Sequence, residues 1–142
     1  MTTKLRIVSV CLLGVAATLI ALGVVSGTLA RSVIQVVPAL LALAAVFTGY
    51  RWSSSATIPI FTFWIIMVVN SVVLVRMQNL TVGSSPALEM GLAILAGVFS
   101  ICGLIASIGV VTGPGRIGRL LAAVLWFMLQ IAALFASIRM HR

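Results

Sequence analysis

Between Arg6 and Arg31 the chain carries no charged side chain, and the same pattern of long apolar runs recurs to its end. Five such runs stand out: 7–29, 33–50, 57–75, 87–111 and 117–138. Each has roughly the 17 to 25 residues needed to cross a hydrocarbon layer about 30 Å thick. A chain that is 63% hydrophobic and 7% charged departs far from soluble domains, which carry about a quarter charged residues. None of the runs alternates polar and apolar residues as a membrane barrel strand does, so helices are the spanning solution left. The expectation is an all-α integral membrane protein, a single domain built as a bundle of five transmembrane helices with short loops.

The first run follows Lys4 and Arg6, and Thr28-Leu29-Ala30 resembles a cleavage site, but its apolar stretch far exceeds the roughly 7 to 15 residues of a signal peptide. It is read as a retained helix. The longest connection, 76–86, leaves no room for a soluble domain, which confines any function to the membrane and its two surfaces.

The net charge of +8 arises from nine Lys or Arg against one acid, Glu89. These cations sit at the ends of the runs, where they meet anionic lipid headgroups. Basic clusters interleaved with aromatics are missing, so nucleic acid is not an expected partner. With the N-terminus cytoplasmic, Lys4, Arg6, Arg51, Arg116 and Arg119 lie inside and Arg31, Arg76, Arg139 and Arg142 outside. That is a slight positive-inside bias, one that also fits a chain inserting in both directions. The same topology places the sequon Asn79-Leu80-Thr81 outside, close to the membrane surface. Tyr50-Arg51-Trp52 has the character of an interfacial anchor. Gly113-Pro114-Gly115 breaks the chain before the last run, and Arg116 and Arg119 beyond it are spaced to grip a lipid phosphate.

Chemistry is sparse. Proton relays and ion pathways use ionisable residues deep within spans, and here the charged residues Glu89 and Arg119 fall only at the starts of the fourth and fifth runs, Glu89 where the helix dipole favours a carboxylate. His141 stands next to the C-terminus, and Cys11 and Cys102, one each in the first and fourth runs, read as small packing residues. With no nucleophile and base, carboxylate dyad or metal cluster in view, no enzyme activity and no cofactor are expected.

Uncharged polar residues remain. Counted at about 1.5 Å per residue from the cytoplasmic end of each run, Thr18, Gln35, Asn70, Ser100 and Gln130 fall at one depth of roughly 17 to 22 Å. Four of them lie on seams of mostly small residues: Cys11, Gly14, Thr18, Ala21; Gln35, Pro38, Ala42, Ala45; Ala93, Ala96, Ser100, Gly103, Ser107; and, less purely, Ala123, Trp126, Gln130, Ala133, Ser137. Such seams let membrane helices approach closely. Asn70 differs, because its face reads Pro59, Phe63, Ile66, Asn70, Val73, Met77 and is bulky. It is expected either to reach Gln35 or Gln130, or to face a partner chain or ligand.

The leading functional expectation is a non-catalytic subunit that stabilises or assembles a larger membrane complex, with other integral membrane subunits as partners. The alternatives are a small homo-oligomeric channel or transporter that uses the carboxamide layer for an uncharged or lipid-like solute, and a holin-like pore former.

Overall fold

A computed structural model describes residues 3–48, 53–78, 86–108, 110 and 115–139. They form five helices: α1 (Thr3–Val25), α2 (Leu29–Phe47), α3 (Ser53–Gln78), α4 (Pro86–Ile108) and α5 (Arg116–Arg139). All five are long and apolar enough to cross a membrane, which suggests a multi-pass membrane protein.

The helices outrun the uncharged segments at several ends. α1 takes in Lys4 and Arg6, α2 takes in Arg31, and α3 takes in Arg76. A charge ends a hydrophobic run without ending a helix, since Lys and Arg stems lie along the apolar surface while their heads reach toward water. Where α1 does stop, the cause is local. Gly27 adopts φ 70°, the N–H of Thr28 donates to the carbonyl of Gly23 at 2.8 Å, and that of Gly27 donates to Val24 at 3.3 Å. This is the Schellman arrangement, in which a left-handed glycine caps the final carbonyls.

Around the bundle the helices follow one another in the order α1, α2, α5, α3, α4 and back to α1, with a lighter contact of α2 on α3 across the middle. Consecutive α4 and α5 are therefore not neighbours in the ring, because α3 stands between them. Pairwise contacts give the running directions. Phe61 meets Gly103, Val68 meets Gly97, and Thr57 bonds Ser107, so α3 and α4 are antiparallel; Gln35 near the start of α2 bonds Ser137 near the end of α5.

Close approach at three of these crossings rests on glycine. A Cβ added at Gly14 would lie 2.7 Å from Cγ of Phe99, and one at Gly103 would run into the ring of Phe61. A Cβ at Gly23 would collide with the hydroxyl of Ser32, joining the end of α1 to the start of α2. Two phenylalanine rings thus sit in glycine notches of a neighbouring helix, the packing that replaces hydrophobic drive when the solvent is itself hydrocarbon. The most buried side chains, Val8, Leu12 and Val15 of α1, Val36 and Ala42 of α2, and Ile60 and Phe61 of α3, form one core. α5 contributes least, and Ile117, Leu120, Leu125 and Phe135 are turned outward.

Candidate functional site

The five residues expected at one depth are placed by these contacts at two levels. Taking Gly14 against Phe99 and Val68 against Gly97 as register marks, Thr18 and Asn70 are level, about five residues or 8 Å nearer the α1–α2 turn than Ser100. Gln35, paired with Ser137, belongs to the same upper level, about 10 Å from the level of Gln130. Depth counted from run ends misjudged this because the helices begin and end elsewhere: α2 is shifted toward the N-terminus of its run, and α3 starts at Ser53.

Within these two levels Thr18, Ser100 and Gln35 bond separately, none to another member of the set. Thr18 is buried and its hydroxyl donates to Gly14 and Val15 of its own helix, at 2.8 and 2.9 Å. Ser100, fully buried, donates to Ala96 at 2.8 Å. Returning a hydroxyl to the preceding turn is the usual way a membrane helix hides serine or threonine. Gln35 reaches across to α5, its Nε2 donating to Ser137 Oγ at 3.0 Å. At the far end of the bundle Thr57 Oγ1 donates to Ser107 Oγ at 3.0 Å, with Ser107 donating on to Gly103 at 2.7 Å. Ser107 and Ser137 lie seven residues beyond Ser100 and Gln130 on the same seams, so the sequence marks their face. Their partners emerge only once the register is known.

Gln130 is almost wholly enclosed, with 1% of its surface exposed, and its Oε1 has no hydrogen-bond partner. Trp64, 5% exposed, holds its Nε1 in the same condition. One group is an acceptor and the other a donor, carried on α5 and α3, which meet through the edge-to-face rings of Phe63 and Phe127 at 6.2 Å. Buried polar atoms are rarely left without a partner, so each of the two has hydrogen-bonding capacity that the chain itself does not use.

Asn70 makes neither of the contacts expected within the chain. Its Nδ2 donates to the carbonyl of Ile66 at 3.0 Å, whereas Gln35 is engaged by Ser137. The side chain is exposed on the outer face of α3, beside the equally exposed Val69 and Ser71. The reason lies in the path of α3. Its first half is enclosed, with Ser55, Ala56, Thr57, Pro59, Ile60, Phe61, Phe63 and Trp64 all buried, and from Ile66 onward the same face emerges from the bundle.

Glu89 stands in the first turn of α4, and its Oε1 has no partner. Cys11 is buried and Cys102 exposed, both as free thiols. Among the described residues no group of three or more His, Cys, Asp or Glu is disposed around a metal-sized site. Arg51, Trp52 and the sequon at Asn79 fall outside the described residues, as does the side chain of Arg116; Arg119 lies half-buried in the first turns of α5.

The chain was compared with family models, with curated proteins and with solved structures, and it matches none of them.

Proposed function

We propose that this chain is a non-catalytic membrane subunit, inserted with its N-terminus cytoplasmic and assembling with other membrane-embedded chains. One observation carries the reading. Asn70 presents a carboxamide on the outer surface of a spanning helix, about 9 Å along the axis from Arg76, with Val72 to Val75 between them. Only its N–H side is engaged by the helix. Lipid tails offer nothing to the other side, so a polar group there is expensive unless another protein supplies a partner. Terminal arginines such as Arg119 and Arg139 then rest against anionic headgroups. Purification from the native membrane in mild detergent tests the reading: a stable assembly of more than one chain supports it, and a monodisperse single chain refutes it.

A second reading has its own observation. The unpartnered Gln130 Oε1 and Trp64 Nε1 favour a small transporter or channel that takes an uncharged hydroxyl-bearing solute into the α3–α5 contact. Under it, Gln130→Leu abolishes solute uptake into vesicles while the protein remains folded.

A further inference from the structure

Resting on the reading of Asn70 as an assembly contact, we propose that its partner is Asn70 of a second copy of this chain, with the two copies parallel in the membrane. The carboxamide has two N–H donors and an oxygen acceptor. Ile66 takes one N–H at 3.0 Å. Each copy is left with one donor and one acceptor at a single exposed point, which is what a residue near a two-fold axis needs to bond its own counterpart reciprocally. A charged side chain would repel its copy, and a lone donor or lone acceptor would leave the pair unsatisfied. The surroundings also suit a helix-to-helix contact. Ile66 and Val69, 49% and 56% exposed, flank Asn70 with apolar surface, and the hydroxyl of exposed Ser71 is turned back onto Met67 at 2.8 Å, so it demands no partner.

Depth decides the orientation. Asn70 lies nearer the Gln78 end of α3 than the Ser53 end, about 7 Å from the helix midpoint. In an antiparallel pair, related by an axis in the membrane plane, the two carboxamides would stand about 13 Å apart along the membrane normal. In a parallel pair, related by an axis along the normal, they meet at any depth. The near-even distribution of basic residues, which would also suit opposite insertions, therefore has no bearing on this contact.

The test uses the full chain in phospholipid vesicles, with Cys11 and Cys102 replaced by alanine and energy transfer between labelled copies as the readout. Reversible self-association is expected. Asn70→Leu should weaken it about tenfold, the loss of two reciprocal interhelical hydrogen bonds of about 0.7 kcal/mol each. Asn70→Gln should retain most of it, and Val69→Trp should block it sterically. Because Asn70 bonds only the preceding turn of its own helix, Asn70→Leu should leave the helical circular dichroism and melting of the single chain unchanged. A bismaleimide across Ile66→Cys should join copy to copy in native membranes. Association equal in Asn70→Leu and in the parent chain overturns the proposal. If Ile66→Cys instead joins a different protein and never its own copy, the pairing is wrong while the subunit reading stands. A chain that joins nothing sinks the pairing, and one that also leaves its native membrane in mild detergent as a single chain sinks both.

Discussion

The two halves of α3 are made of similar residues and live in opposite surroundings. From Ser55 to Trp64 the helix is enclosed almost all round, and from Ile66 to Ser71 it is largely bare. Hydrophobicity does not separate them: Ile60 is fully buried and Ile66 is half exposed. What separates them is the neighbour. The first half meets Gly103 and Ser107 of α4, whose small size admits Phe61 and lets Thr57 bond across. In a hydrocarbon solvent, inside and outside are set by fit and hydrogen bonding, because apolar surface gains little from leaving lipid for protein. Asn70, a polar residue on the bare half, is the point at which we propose that another chain covers the helix.

Substitutions on the two halves should differ in size accordingly. Gly103→Leu should do the most damage, leaving little folded protein, since even its Cβ overlaps the Phe61 ring and overpacking of this kind costs about 3 kcal/mol or more. Combining Gly103→Ala with Phe61→Leu should recover part of the stability lost in Gly103→Ala alone, measured as a midpoint shift in detergent unfolding; strict additivity would mean the two do not touch. Phe61→Ala comes next, with a loss of about 3 kcal/mol from the cavity it leaves. Ser107→Ala, which removes the partner of Thr57, should cost about 1 kcal/mol, and Gln35→Leu, which abandons Ser137, a similar amount. Ile66→Ala on the bare half should change single-chain stability by less than about 0.5 kcal/mol. If Ile66→Ala and Phe61→Ala are equally harmful, the contrast between the halves is wrong.

Much of this architecture is legible in the residue order. Runs of uncharged residues give the number of helices, and the seams through Ser100 and Gln130 point to faces on which Gly103, Ser107 and Ser137 are indeed buried. Helix ends are less legible, since α1 and α3 continue through Lys4, Arg6 and Arg76, and among the described residues Gly27 alone ends a helix in a left-handed conformation. Register between helices is not legible at all. It depends on which side chain fills which notch, Phe99 over Gly14 and Phe61 over Gly103, and no spacing within one helix encodes that. The polar residues therefore appear as a single layer when counted along each run and separate into two when the notches align them. GVVSG at 23–27 shows the same limit: its spacing matches a helix-dimer motif, yet Gly23 admits Ser32 and Gly27 turns the chain. The odd surroundings of Asn70 were visible in its bulky face; that the face leaves the bundle was not.

The central claim is that the bare half of α3 is covered by another chain in the membrane. Native mass spectrometry of the protein released directly from its own membrane measures this most plainly, with Asn70→Leu run beside the parent. The account predicts an assembly containing at least two copies of this chain, with or without other subunits, whose share relative to the single chain drops in the Asn70→Leu variant. Detection of the single chain alone, carrying only lipid, would contradict it.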